Sequence, residues 1–193
     1  MVQVKKKQVR QAIVDSAYDL FSERGYHSTT LQDVAELAGV GVSSLYSYFP
    51  SKLHLLYAVF EPWHKGEFEQ LEKRILKLKS PRDRLFALLL GLWRDIPIAN
   101  IGLTNSLMEA LASADPAQQK PVPLLKWTEE RLMRMIKAAL PDDGARLDHD
   151  ALSTLFIMAY DGFVINRRLN DLRDIERLSN AMCDILLGPA EKR

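Results

Sequence analysis

The sequence predicts an all-α fold, and three observations carry the prediction. Apolar residues recur at intervals of three and four along nearly the whole chain. No run alternates convincingly between turns outside one short stretch at 38–52. Capping and turn signals punctuate the periodic segments. Of the 193 residues 47% are hydrophobic, which is ample for a core. The formal net charge of +1 conceals a basic opening, where Lys5, Lys6, Lys7 and Arg10 stand without an acid and read as an arm. A single cysteine, Cys183, excludes an internal disulfide, and no apolar secretory segment follows the lysines, so a cytoplasmic protein is expected. The apolar run Leu85 to Trp93 falls far short of the roughly 18 residues a membrane span needs and reads as a core helix.

Taken in order, the first helix places Val9, Ile13, Ala17, Tyr18 and Phe21 on one face and ends at Arg24, with Gly25 as its C-cap. Thr30, with Asp33 three residues on, opens a short helix in the manner of a capping box, and Gly39 closes it. A third helix aligns Val42, Leu45 and Phe49. From 51 to about 79 a long helix is expected, kinked at Pro62. Ser80, Pro81 and Asp83 supply an N-cap, an N1 proline and a first-turn acid for the next. Further helices fall near 98–113, 121–140, 149–168 and 171–187, separated by DPAQQKPVP, PDDG and Asn170. About nine helices result, with a domain boundary after Lys52 that divides 1–52 from 53–193.

The stretch AGVGVSSLYSYFPSK, residues 38–52, carries the chemistry. Its GxG lacks the third glycine of a dinucleotide fingerprint, and GVSSL lacks the second glycine of a nucleophile elbow. As a helix following a glycine turn it forms a helix-turn-helix whose second helix would enter a major groove. Small side chains at Gly41, Ser43 and Ser44 let that helix lie close to DNA, and the hydroxyls of Tyr46 and Tyr48 suit phosphate oxygens. Lys52 opens the long helix, where a cation opposes the macrodipole unless a phosphate binds there too.

From Gly25 to Leu56, GYHSTTLQDVAELAGVGVSSLYSYFPSKLHLL resembles the DNA-binding region of the TetR/AcrR family of bacterial transcriptional regulators. TT, DVA, AGV, LYSYF and SK stand in family order and spacing. The resemblance implies backbone contacts from Ser44, Tyr46, Tyr48 and Lys52, and a cap and phosphate contact at Thr29 or Thr30. Base reading is implied for Val42, Ser43 and Ser44, with Gln32 from the preceding helix. Two departures stand out: Gly41 where the family commonly has a capping serine, and Val42 where a polar or basic residue is frequent.

One helix-turn-helix reads half a site, so a symmetric dimer and a near-palindromic operator are expected. The interface is assigned to the helices near 149–168 and 171–187, striped by Leu152, Leu155, Phe156, Ala159, Phe163 and Val164, and by Ile175, Leu178, Met182 and Ile185. The resemblance implies that they form a four-helix bundle with the twin. An effector pocket is assigned to Trp63, Trp93, Met108, Trp127, Tyr160 and Phe163, with Asn105 and Glu109 as polar contacts. No cofactor, metal or catalytic constellation is expected: His27, His54, His64 and His149 form no ligand pair at metal spacing. The leading reading is a ligand-responsive repressor; the alternative is an effector-independent DNA-binding protein whose large domain only dimerises. A helical enzyme, the third reading, lacks a nucleophile, base or metal.

Overall fold

The computed structural model describes residues 2–114, 123–140, 148–170 and 173–189. They form α1 (Val2–Ser28), α2 (Leu31–Leu37), α3 (Val42–Tyr48), α4 (Lys52–Leu76), α5 (Pro81–Leu90), a π-helical segment (Gly91–Asp95), α6 (Ile96–Ala99), α7 (Ile101–Ser113), α8 (Pro123–Ala139), α9 (His149–Arg168) and α10 (Ile175–Leu187). Among the described residues there is no strand, and with Pro81–Ala99 counted as one rod there are nine helices.

Two compact units emerge. The first joins the chain up to His64 with α7; the second joins Lys65–Ala99 with α8, α9 and α10. This division differs from the boundary expected after Lys52. The reason lies in how closely α7 meets α1. A Cβ on Gly102 would overlap the carbonyl oxygen of Ser22, so only glycine allows the two backbones to touch. Asn100 Nδ2 donates to Tyr18 Oη at 3.0 Å and to Ser22 Oγ at 2.8 Å, and Ser106 Oγ donates to the Phe21 carbonyl at 2.9 Å.

The core of the first unit combines Ile13, Ala17, Leu20 and Phe21 of α1 with Val34 and Ala35 of α2, Leu45 of α3 and Leu55, Leu56 and Phe60 of α4. Positive φ (82°) at Gly25 breaks α1 where a C-cap is expected, and Tyr26–Ser28 continue beyond it. The basic opening is part of α1 and not an extended arm: Lys6, Lys7 and Arg10 lie exposed on that helix. Thr30 Oγ1 accepts from Asp33 N at 3.1 Å while Asp33 Oδ2 accepts from Thr30 N at 2.8 Å, a complete capping box. Thr30→Ala should therefore cost about 1 kcal/mol, read as a lower urea midpoint at unchanged m-value. α2 ends in a Schellman motif, with Val40 N bonded to Ala35 O at 2.9 Å and Gly39 N to Glu36 O at 3.1 Å. Gly39 holds φ 66°, the left-handed conformation this stop requires.

The second unit buries Leu85, Leu88 and Leu89 of α5 among Leu132 and Ile136 of α8, Phe156, Tyr160 and Val164 of α9, and Cys183 of α10. Trp93 Nε1 donates to the Phe156 carbonyl at 3.1 Å, and Arg82 ties α5 to α10 through Asp184 at 2.6 Å. Several boundaries shift for identifiable reasons. α4 is continuous through Pro62 and stops at Leu76, short of 79. The helix expected from 98 starts at 101 because Asn100 is its N-cap, accepting from Leu103 N at 2.9 Å. α10 starts at 175 because Asp174 caps it through Arg177 N at 2.9 Å. The turn segments at 115–122 and 141–147 lie outside the described residues.

Candidate nucleic-acid interface

α3 owes its orientation to two anchors: Leu45 is fully buried and Phe49, its C-cap, is 4% exposed. That leaves Ser43, Ser44, Tyr46 and Ser47 on the outer face, with Val42 and Tyr48 half-buried at its edges. Tyr46, 52% exposed, is a surface residue and not part of the core. Gln32 on α2 is exposed as well. Gly41 is the N-cap and supplies no side-chain acceptor, so α3 starts on backbone geometry alone. The outer surface is thus narrow and hydroxyl-bearing, suited to close approach by a duplex.

Thr30 is exposed, yet its hydroxyl already donates to Asp33 Oδ2 at 2.6 Å. The same bonds hold the Asp33 carboxyl below the usual carboxylate range. A phosphate at Thr30 would compete with that bond. Lys52 is the first residue of α4, and its ammonium lies 4.3 Å from the centroid of the Tyr26 ring. Burial lowers its pKa, while Glu109 and then Asp33 act in the opposite direction. Ser51 caps α4, its Oγ 2.8 Å from His54 Nδ1. Arg10 lies over Phe49, its guanidinium carbon 5.1 Å from the ring centroid. Sequence reasoning assigned no role to Tyr26, although it stands in the GYHSTT segment that carries the resemblance.

The residues expected to line one effector pocket fall into both units. Trp63, Asn105, Met108 and Glu109 belong to the first, and Trp93, Trp127, Tyr160 and Phe163 to the second. The Glu109 carboxylate accepts from Tyr26 N at 3.0 Å and His27 N at 3.2 Å at the end of α1. Trp63 packs edge-on against Phe60. Asn105 and Met108 are half-buried on α7. Trp127 packs against Phe68 and lies beneath Lys65 and Arg131. Tyr160 is buried in the core of α9. Trp93 and Phe163 line a cleft of about 360 Å³ in the second unit, together with Arg94, Ile98, Arg167 and Ile175.

The expected dimer stripes also divide. Phe156 and Val164 are buried inside the chain, whereas Leu155 on α9 and Leu178 and Ile185 on α10 are exposed; Met158 and Ile165 on α9 and its C-cap Leu169, outside those stripes, are exposed as well. Among the described residues no group of three or more His, Cys, Asp or Glu is placed to hold a metal ion, and no single helix is long and apolar enough to cross a membrane.

Two short helices around a Schellman turn, with the outer one presenting hydroxyls, define the helix-turn-helix class. Residues 13–59 match the model of the family described as bacterial regulatory proteins, tetR family. The HTH-type transcriptional repressor KstR of Rhodococcus jostii (strain RHA1) is 34% identical over 114 residues, 56% of this chain and 52% of the relative. The chain thus spans about half the length of that curated relative. The fatty acid metabolism regulator protein of Bacillus subtilis (strain 168) is 25% identical over 187 residues, covering 91% of this chain and 92% of the relative. The crystal structure of the transcriptional regulator FadR from Bacillus subtilis in complex with stearoyl-CoA superposes with a TM-score of 0.61 at 18% identity, over 93% of this chain and 99% of that one. At that identity the likeness concerns the fold alone.

Proposed function

We propose that the protein is a homodimeric transcriptional regulator of the cytoplasm that represses from a near-palindromic operator and is released by a small amphipathic effector. The observation that carries this reading is the outer face of α3, where Ser43, Ser44 and Tyr46 stand clear of a core gripped by Leu45 and Phe49. Residues 1–52 read DNA, and 53–193 dimerise and receive the effector. Base contacts come from Val42, Ser43, Ser44 and Gln32. Tyr46, Tyr48 and Lys52 meet phosphates. Val42 offers only apolar contact, which suits a thymine methyl.

The relatives direct the choice of effector to be tried, since one is named for fatty acid metabolism and another holds stearoyl-CoA. A ligand favouring the non-binding state shifts the equilibrium only by its differential affinity for the two states. Selection of duplexes from a random-sequence pool tests the reading directly. A near-palindrome should be enriched by the wild-type chain, and Tyr46→Phe should weaken binding several-fold to every duplex alike, as loss of one phosphate hydrogen bond implies. Stearoyl-CoA should raise the melting temperature and release the selected duplex. Failure to enrich any duplex sinks the reading, and stabilisation without release sinks its effector half.

A further inference from the structure

Glu109 sits on α7, away from the helix-turn-helix in sequence, yet three contacts connect it to the proposed DNA contact at Lys52. Its Oε2 accepts from Tyr26 N and His27 N, the two N–H groups just past the break at Gly25. A Cβ on Gly25 would lie 3.3 Å from that same oxygen, so the bare backbone there serves both the turn and the approach of the carboxylate. The Tyr26 ring in turn carries the Lys52 ammonium at 4.3 Å, a cation–π contact. α7 is itself held against α1 by the Gly102–Ser22 contact and the Asn100 and Ser106 hydrogen bonds.

We propose that Glu109 is a positioning residue of the DNA interface: it fixes the Tyr26 turn that seats Lys52 and holds that lysine's charge back from a duplex phosphate. The proposal rests on the DNA-binding reading of α3 and Lys52. In the wild-type chain Lys52 divides between the position over Tyr26, under the attraction of Glu109 and Asp33, and the phosphate contact proposed for it. Removing the carboxylate charge favours the second position. Each phosphate newly neutralised steepens the dependence of log K on log salt by about 0.9.

The test uses the full chain and a fluorescein-labelled duplex enriched by the wild-type protein from a random pool, titrated across a range of KCl concentrations. Glu109→Gln keeps an oxygen to accept the Tyr26 N–H and loses the charge. It should bind several-fold more tightly at low salt, with a slope steeper by up to about 0.9 per reading head. Tyr26→Leu keeps the backbone N–H groups but removes the ring beneath the ammonium, and should steepen the slope likewise. In a Lys52→Met background Glu109→Gln should change nothing. An unchanged slope in Glu109→Gln, or equal tightening without Lys52, overturns the proposal while leaving DNA binding intact. A wild-type chain that retains no duplex overturns both.

Discussion

Ile165→Glu is expected to convert a dimer into a monomer by light scattering and to weaken binding of a selected duplex by at least ~100-fold, the scale on which a second linked half-site contributes. Ala151, Leu155, Met158, Gly162, Ile165 and Leu169 follow one another at intervals of four and three along α9. That is the spacing of a seam between packed helices. Leu155, Met158, Ile165 and Leu169 are 57%, 64%, 50% and 73% exposed in the single chain, and Ile185 on α10 is 75% exposed. A Cβ on Gly162 would meet nothing within 4 Å, so space remains beside the stripe. Each such side chain, already partly covered, gains a part of the about 1.5–3 kcal/mol of full burial, and two copies of this face together match an association cost on the order of 4–15 kcal/mol. A carboxylate at the centre of the seam would be desolvated without a partner. Leu125 on α8 is 49% exposed but off both stripes, so Leu125→Glu should leave the dimer intact. A dimeric Ile165→Glu that still binds DNA would rule out this face.

Gly102→Ala should destabilise the chain by about 3 kcal/mol, the upper range for overpacking, and lower the melting temperature by roughly 6–12 °C. The added methyl would overlap the Ser22 carbonyl oxygen, and backbone cannot rotate aside as a flexible side chain can. α7 would have to lift from α1, weakening the Ser106 and Asn100 hydrogen bonds with it. Gly66 on α4 is the control, because a Cβ there meets nothing within 4 Å. Gly66→Ala should be neutral or stabilising by up to about 1 kcal/mol, as helix propensity alone predicts. Equal melting temperatures for the two variants would mean that the α1–α7 contact is looser than its geometry implies.

Local signals were legible wherever neighbours in sequence supply both halves of an interaction. Thr30 with Asp33, Gly25, Gly39 and Ser80 with Asp83 all act where they were expected, since caps and turns close within a few residues. Asn100 and Asp174 act by the same rule and were passed over, because apolar periodicity continued across them. The effector set was less legible. An aromatic on a helix looks the same whether it lines a cleft, as Trp93 does, or packs under cations, as Trp127 does. Tyr46 could equally have been core, and its exposure follows only once Leu45 and Phe49 have taken the inner positions.

By itself the sequence determined the helices, several of their caps and the helix-turn-helix, since all of these depend on spacing within one or two turns of chain. Tertiary structure alone decided three further matters. α7 joins α1 because Gly102 meets Ser22 some eighty residues away in sequence. The apolar surface of α9 divides into a buried face at Phe156 and Val164 and an exposed one at Leu155 and Ile165 because α8 and the π-helical segment cover only one side. Glu109 points at the end of α1 because two backbone N–H groups there need an acceptor, and that need is invisible along the chain.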